Sequence, residues 1–198
     1  MSDTRFTLAQ ACRHHEEIRK SRFLAQAAPM HSIEQALAFV REASAPDATH
    51  NCWAYRIGQD YRFNDDGEPG GTAGRPILQA IESQGMDRVA VVVTRWYGGI
   101  KLGAGGLARA YGGTAAECLR VAERVPIVAM ADVSLRCDFA ELVLMTSRLR
   151  ELDASIASEQ FDGDGVTLRL QLPLHRLAEA QTRITDLSRG RSILIVAD

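Results

Sequence analysis

The chain has 198 residues, of which 46% are hydrophobic and 24% are charged, and its formal net charge is −2. This composition is typical of soluble globular proteins, and no apolar run approaches the ~20 residues that a membrane helix needs. The length favours two compact units of about 100 residues each. A net charge near zero argues against a surface that is basic throughout, but a local basic patch can still bind phosphate.

The cysteines are Cys12, Cys52, Cys118 and Cys137, and no two of them form a C-x-x-C pair. The segment "MSDTRFTLAQ" lacks the apolar core of a signal peptide. We therefore expect a cytoplasmic protein whose reduced thiols serve as small buried side chains. Neither a disulfide framework nor a metal site is predicted, and no cofactor is expected.

The first elements in chain order are a strand, a helix and a hairpin. Residues 22–28 ("RFLAQAA") are typical of a strand, and apolar residues on one face of the next segment predict a helix. Ser32 and Gln35 have the spacing of a capping box at the start of that helix. The alternating segment "NCWAYRI" (51–57) then predicts a hairpin with residues 61–63 across a glycine turn.

A second helix, a buried strand and a long helix follow. "AGRPILQAIES" is typical of a short helix with proline in its first turn, and the apolar run 88–94 predicts a central strand covered on both faces. The long helix is expected over residues 104–123. Gly112 and Gly113 lie inside it, at a cost of ~1 kcal/mol each relative to alanine. We therefore expect another backbone segment to approach the helix closely there.

The pattern changes at Pro126, which predicts domains over residues 1–126 and 127–198. The second domain has the β-α-β-β-α-β order of a ferredoxin-like sandwich, so the fold class is α+β. Its predicted elements are strand 132–138, helix 140–152, a hairpin turned by "DGDG" at 162–165, helix 174–188 and strand 192–196.

Eleven of the 16 glycines lie in two stretches, four in "DDGEPGGTAGRP" (65–76) and seven in "RWYGGIKLGAGGLARAYGG" (95–113). Glycine lets backbone amides approach a ligand, and a strand–loop–helix arrangement points the free amides of a helix N-terminus at an anion. Basic and aromatic side chains beside such a loop suit the phosphates and bases of a nucleic acid. The predicted binding residues are Arg75, Arg95, Trp96, Tyr97, Gly98, Gly99, Lys101, Gly103, Gly105, Gly106 and Arg109.

A purely structural interpretation stays open, in which the glycines serve turns and helix packing and the tryptophan belongs to the core. Two common phosphate motifs are not satisfied. Gly103, Gly105 and Ala108 match G-x-G-x-x-A, but the loop starts too far beyond the strand for a dinucleotide fold. Lys101 is preceded by Ile100 and followed by no hydroxyl residue, which excludes a P-loop.

The first glycine stretch also carries carboxylates. Asp65, Asp66 and Glu68 could hold a hard cation, but a turn with aspartate caps and Gly67 at positive φ is the favoured interpretation. His50 could act as an acid, base or ligand, yet no hydrolase motif accompanies it. We treat these carboxylates and His50 as a supporting loop for the predicted binding site.

Four motifs together resemble the IMPACT family, which includes bacterial YigZ-like proteins. The resemblance covers most of residues 18–123 by motif, and the remainder of the chain by pattern. The motifs are "IRKSRFLA" (18–25), "THNCWAY" (49–55), "DDGEPGGTAGRPIL" (65–78) and "TRWYGGIKLGAGGLARAY" (94–111).

The resemblance implies a fold and a broad role. It implies an N-terminal β/α domain like the second domain of a small-subunit ribosomal protein, elongation factor G domain IV and the GHMP kinases, and a C-terminal domain like a ferredoxin-like domain of elongation factor G. Eukaryotic members act in translational control, so it implies a translation-linked regulatory or RNA-binding protein. The expected partners are RNA or the ribosome, or a translation-factor protein. The family supplies no catalytic residues, and neither a membrane nor specificity for DNA is expected.

An enzyme is the alternative hypothesis. In a GHMP-kinase-like protein, "LGAGGLARA" would cradle phosphates, and Asp65, Asp66 or Glu68 would hold magnesium. The loop has glycine and alanine where those kinases usually have serine. The sequence therefore favours a binding protein.

Overall fold

The computed structural model describes residues 5–197, which divide into two compact units between Ile127 and Val128. Within that range, none of the helices combines the length and the apolar character needed to cross a membrane. Both units mix strands and helices, in agreement with the expected fold class.

The elements of the N-terminal unit are β1 (Phe6–Leu8), β2 (Cys12–Ile18), β3 (Ser21–Pro29), α1 (Ile33–Ala43), β4 (His50–Ile57), β5 (Asp60–Asn64), α2 (Gly74–Ser83), β6 (Val89–Trp96), α3 (Ala104–Val121) and β7 (Arg124–Pro126). Five of the strands form an antiparallel sheet in the order β2-β3-β6-β4-β5, and β1 pairs separately with β7.

Strand β6 is the middle strand of this sheet, and it is covered on both faces as the apolar run predicts. Val89, Val91 and Val93 belong to a core cluster with residues of α2 and α3. Ala90 points to the opposite face and packs in a second cluster with Ala36 of α1. The sheet is antiparallel, so a continuous apolar strand here reflects helices on both faces and not parallel pairing.

Helix α1 begins at the capping residues that the sequence indicates. The Ser32 Oγ accepts a hydrogen bond from the Gln35 backbone N–H at 3.3 Å. The Gln35 Oε1 accepts one from the His31 backbone N–H at 2.9 Å. The glutamine therefore reaches one residue further back than in the usual capping box, and both side chains still satisfy backbone donors.

The sequence pattern does not predict strands β1, β2 and β7. Strand β2 reads "CRHHEEI" and pairs only with β3 at the sheet edge, so most of its residues are exposed and leave no apolar signal. Strands β1 and β7 have three residues each and come from distant parts of the chain. Pairing of this kind depends on the tertiary fold, not on local pattern.

The two glycines inside α3 differ in their surroundings. A Cβ atom on Gly112 would lie 3.3 Å from the Pro76 Cβ of α2, which confirms the close approach expected there. A Cβ atom on Gly113 would meet nothing within 4 Å, so the same expectation is wrong at that position. Of these two glycines, Gly112 is therefore the one that lies against α2.

The C-terminal unit has the predicted order of strands and helices. The elements are β8 (Met130–Cys137), α4 (Leu142–Arg150), β9 (Ser155–Phe161), β10 (Val166–Pro173), a 3₁₀ turn (Leu174–Arg176), α5 (Leu177–Leu187) and β11 (Leu194–Val196). The strands form a four-stranded antiparallel sheet in the order β11-β8-β10-β9. The "DGDG" turn joins β9 to β10, and the Asp162 carboxylate accepts hydrogen bonds from the Asp164 and Gly165 backbone amides. The likeness to a ferredoxin-like domain stays a prediction.

A pair of glycine variants tests the packing of the N-terminal unit. The Cβ atom of Gly98→Ala would lie 1.9 Å from the Lys20 carbonyl oxygen, so the backbone must shift, and we expect a loss of about 2 kcal/mol or more in the free energy of unfolding. Gly113→Ala should stabilise the protein by up to about 1 kcal/mol. Urea unfolding of both variants measures these changes. Equal stabilities would contradict the described contact at Gly98.

Candidate functional site

A cleft of about 400 Å³ lies between the two glycine-rich loops of the N-terminal unit, and we call it the loop cleft. The register pairs His50, the first residue of β4, with Arg95 near the end of β6, so the loops beside these residues come together at one edge of the sheet. The sequence alone could not show this meeting. The cleft is lined by Thr49, His50, Glu68, Pro69, Arg95, Tyr97, Lys101, Leu102, Gly103, Ala104 and Leu107.

Asp65 organises the first loop. One carboxylate oxygen accepts hydrogen bonds from the Ala73 and Gly74 amides at 3.0 and 2.8 Å, and the other accepts from the Gly71 amide at 2.8 Å. These amides lead into α2, whose first helical residue is Gly74. The side chain therefore caps α2 across the loop and closes the turn.

Asp66 and Gly67 complete the turn. The Asp66 carboxylate accepts a hydrogen bond from the Asn51 backbone N–H at 2.5 Å. Asp66 and Gly67 both have positive φ, 40° and 83° respectively. The favoured interpretation of a glycine turn with aspartate caps is confirmed. Within residues 5–197, no group of three or more histidine, cysteine, aspartate or glutamate side chains is arranged to hold a metal ion.

Glu68 and Arg95 form a buried ion pair between the first loop and β6. Arg95 Nη1 lies 2.6 Å from Glu68 Oε1, and the two side chains are only 6% and 4% exposed. The Tyr111 hydroxyl of α3 donates to the same oxygen at 2.8 Å. Two donors therefore compensate the buried carboxylate, and the pair joins the loop, the sheet and the helix.

The Arg95 side chain is also held between aromatic rings. Its Cζ atom lies 5.7 Å from the Phe23 ring centroid and 5.3 Å from that of Tyr97. Its Nη2 donates a 3.4 Å hydrogen bond to the Ser21 Oγ, while its buried Nε has no partner among the described residues. Stacking and pairing thus fix the guanidinium in the wall of the cleft.

The structure places the predicted basic residues in different surroundings. Lys101 is exposed and lines the loop cleft, whereas Arg95 is buried there with its charge compensated by Glu68. Arg75 and Arg109 are exposed and do not belong to the described lining of the cleft. Arg109 instead lines a neighbouring depression beside Glu16 of β2. Among residues 5–197, Lys101 is therefore the one cation of the predicted set that lines the cleft without an ion-pair partner.

The N-terminus of α3 opens into the loop cleft. Gly103 is its N-cap residue, with φ 73° and ψ 165°, and no side chain in the described chain caps this helix of 18 residues. Both Gly103 and the first helical residue, Ala104, line the cleft. The free amides of the first turn and the positive end of the helix dipole make this position favourable for an anion.

The loop glycines have different roles. Gly98 has no room for a side chain beside the Lys20 carbonyl, and Gly99 has a φ of 85°. These two serve the path of the backbone, as the structural interpretation expects. Gly105 and Gly106 lie in the first turn of α3, where a Cβ atom on Gly106 would approach the Leu102 side chain at 3.1 Å. Among the described residues, Gly103 at the start of α3 is the loop glycine that belongs to the lining of the cleft, whereas Gly105 and Gly106 do not belong to it.

The adjacent aromatic residues also differ. The Tyr97 side chain is 46% exposed and lines the cleft, and its backbone N–H donates to the Thr49 Oγ1 at 3.0 Å. Trp96 is half-buried, and its Nε1 donates to the Asp47 carboxylate at 3.0 Å while Arg22 covers its ring. Tyr97 is therefore the aromatic face available in the cleft, and Trp96 belongs neither to the cleft nor to the core.

His50 lines the cleft, and the buried side chains of Cys52 and Tyr111 contact the first loop behind it. The Nδ1 atom of His50 lies 2.7 Å from the Asp66 carbonyl oxygen, and its Nε2 lies 3.8 Å from the Glu68 carboxylate. Burial raises the pKa of the Cys52 thiol to about 12 and also raises the pKa of Tyr111. Both groups therefore stay protonated near neutral pH.

Several residues of the site were not singled out from the sequence. Thr49, Pro69, Leu102, Ala104 and Leu107 line the cleft but carry no charge. Their signal was their position, because four of them lie within the two glycine-rich stretches and Thr49 begins the motif "THNCWAY".

These features define a two-unit α+β protein whose first unit carries a cleft between two glycine-rich loops. The family model for the Impact N-terminal domain matches residues 19–119, and a domain of unknown function (DUF1949) matches residues 135–191. The first match spans the whole cleft. The chain belongs to the IMPACT family.

Similar proteins support this assignment over nearly the whole chain. An IMPACT family member in the pol 5'region of Thermus thermophilus is 50% identical over 88% of this chain and 97% of its own. The IMPACT family member YigZ of Escherichia coli is 37% identical over 92% of this chain and 93% of its own. A solved structure described as a hypothetical protein is 35% identical with a TM-score of 0.77, covering 100% of this chain and 99% of its own.

The buried ion pair predicts an asymmetry between single and double variants. Arg95→Met leaves the Glu68 carboxylate buried without its cation, so we expect a loss of about 3–5 kcal/mol in the free energy of unfolding. Adding Glu68→Gln removes the charge and keeps an acceptor for the Tyr111 hydroxyl, so more than half of the loss should be recovered. Urea unfolding of the four proteins in this cycle measures the coupling. Additive losses would contradict the pairing.

Proposed function

We propose that the protein is a translation-linked, cytoplasmic RNA-binding member of the IMPACT family, and that it contacts RNA through the loop cleft. One observation carries the proposal. The uncapped N-terminus of α3 opens into the cleft beside the exposed Lys101 and the exposed ring of Tyr97. The helix start and Lys101 are complementary to a phosphate, the Tyr97 ring is complementary to a base, and these groups lie close together in the chain.

The phosphate would bind at the start of α3. The amides of the first turn donate to phosphate oxygens, and Lys101 adds a charge that carries no sequence information. Arg95 contributes less than its charge suggests, because Glu68 already neutralises it. We therefore assign the phosphate contact to Lys101 and to the backbone at Gly103 and Ala104.

The base would stack on Tyr97. Bases stack on aromatic rings with little regard to sequence, at about 1–3 kcal/mol per base. Arg95 lies against the Tyr97 ring and keeps it at the cleft. The apolar side chains of Leu102 and Leu107 line the same space. A cleft of about 400 Å³ has the volume of a small-ligand site, which suits a nucleotide of a single strand better than a duplex.

The link to translation rests on family membership and on the resemblance described above. We infer that the RNA is ribosomal or ribosome-associated, and that a translation-factor protein is the other candidate partner. The proposed likeness to a ribosomal-protein domain and to elongation factor G domain IV agrees with this role. No feature of the cleft favours reading the base edges of DNA, so DNA specificity is not part of the proposal.

The kinase-like alternative gains no support from the site. Its magnesium ligands would be Asp65, Asp66 and Glu68, but backbone amides occupy the first two and Arg95 pairs with the third. Releasing these carboxylates for a metal would uncap α2 and leave Arg95 buried without its partner. We therefore propose a binding role.

Replacing Lys101 tests the phosphate contact. Lys101→Ala should weaken RNA binding roughly three- to tenfold at low salt, because one charge that releases a counterion is lost. The slope of the logarithm of the binding constant against the logarithm of the salt concentration should become smaller by about the amount of one phosphate contact. The measurement is co-sedimentation with ribosomes and total RNA across a salt series. Arg41→Ala is the matched control, since Arg41 is exposed in the last turn of α1, on the other face of the sheet. Equal effects of both variants would overturn the assignment.

A charge at the start of α3 separates binding from folding. Ala104→Glu places a carboxylate in the first turn, where the helix dipole stabilises it, so the thermal unfolding midpoint should stay equal or rise. The same carboxylate occupies the cleft and repels phosphate, so RNA binding should fall at least about tenfold. Unchanged RNA binding with a folded variant would place the RNA contact elsewhere.

A further inference from the structure

Two cysteines that are far apart in the sequence lie side by side in the N-terminal unit. Cys12 is the first residue of β2, Cys118 lies in α3, and their sulfur atoms are 3.5 Å apart although 106 positions separate them in the chain. Both thiols are free. A disulfide needs a sulfur–sulfur distance of about 2.05 Å, so the atoms must approach by roughly 1.5 Å.

The location of Cys12 allows this movement. Strand β2 is the edge of the five-stranded sheet and pairs only with β3. Its inward face rests on α3, where the Thr114 hydroxyl also donates to the Glu16 carboxylate at 3.1 Å. The end of an edge strand adjusts more easily than a central strand, so we expect a shift of β2 toward α3 to close the sulfur pair.

The two thiols differ in exposure and in acidity. Cys12 is half-buried, whereas Cys118 is fully buried. A hydrogen bond from the Cys118 thiol lowers the pKa of Cys12, and the same bond raises the pKa of Cys118. The thiolate is the reactive form, so Cys12 is the partner that meets an oxidant from solution first.

We propose that Cys12 and Cys118 form a redox modification site, in which a peroxide converts the pair to a disulfide joining β2 to α3. The proposed RNA contact does not require this disulfide, so a failure to form the disulfide would leave the RNA-binding proposal unaffected. Cys12 acts as the attacking residue and Cys118 as the resolving residue.

The reaction balances with hydrogen peroxide as the oxidant. The Cys12 thiolate attacks one peroxide oxygen, a sulfur–oxygen bond forms, the oxygen–oxygen bond breaks, and the leaving hydroxide takes the thiol proton to become water. Cys118 then attacks the sulfur of the sulfenic acid. The sulfur–sulfur bond forms, the sulfur–oxygen bond breaks, and a second water leaves with the Cys118 proton. Two thiols lose two electrons, and the peroxide is reduced to two waters.

The disulfide would change the stability of the N-terminal unit. It closes a loop of more than one hundred residues, and such a long cross-link restricts the unfolded chain strongly. We expect the thermal unfolding midpoint of the oxidised protein to rise by about 5 °C or more. Reduction with a dithiol should restore the original midpoint.

The test treats the full chain with hydrogen peroxide and follows the thiols by alkylation and peptide mass spectrometry. The wild type should lose two alkylatable thiols, with Cys12 and Cys118 recovered in one cross-linked peptide pair. Cys118→Ala should stop at a sulfenic acid on Cys12 that a dimedone probe labels, and Cys12→Ala should leave Cys118 unmodified. Cys52→Ala is the matched control, because the Cys52 thiol donates to the Asp65 carbonyl at 3.0 Å, away from the pair.

Two results would overturn the proposal. One is a wild-type protein in which both thiols remain alkylatable after peroxide treatment. The other is a disulfide between Cys12 residues of two molecules, without the intramolecular pair. Cys12 is half-buried at an edge strand, so Cys12→Ala should fold even if a Cys118 variant does not. The Cys12→Ala variant by itself shows whether the oxidation of Cys118 depends on Cys12.

Discussion

The ion pair between Glu68 and Arg95 is the interaction on which the site depends. It brings the first glycine-rich loop onto the end of the central strand β6, and the Tyr111 hydroxyl adds the long helix α3 to the same carboxylate oxygen. Charges buried this deeply are stable only when they are paired and hydrogen-bonded. The loop, the strand and the helix must therefore take their positions together, and the walls of the loop cleft follow from that arrangement.

The same pairing decides where the cleft can attract a ligand. Because Glu68 cancels the Arg95 charge, the positive potential comes from Lys101 and from the amides of α3, whose N-cap is a glycine. Arg95 still matters, since it lies against the Tyr97 ring and holds it at the cleft. Arg95, whose charge is compensated, thus positions the Tyr97 ring, while Lys101 and the N-terminus of α3 supply the positive potential. We propose that this arrangement binds one phosphate together with one stacked base.

Much of this fold could be predicted locally. The apolar run of β6, the Ser32 cap of α1 and the glycine turn at Gly67 follow from short-range chemistry, and the motifs identify the family. The rest depends on contacts between distant residues. Nothing near Arg95 in the sequence reveals that a carboxylate 27 positions earlier neutralises it. Arg109 is only eight positions from Lys101, but it follows the first turns of α3 and lines a neighbouring depression beside β2 instead of the cleft. Strand β2 is polar because it is an edge, so its pairing leaves no apolar pattern.

RNA binding at the loop cleft is tested most directly by titrating the ¹⁵N-labelled protein with a short single-stranded RNA and following the backbone amide signals. We predict that the largest shifts fall at Lys101, Gly103 and Ala104, with smaller ones at Tyr97 and Thr49, and that these shifts shrink as salt is raised. Shifts confined to α1 or to the C-terminal unit, with the α3 start unchanged, would contradict it. The cleft would then be a structural consequence of the ion pair and not the binding site.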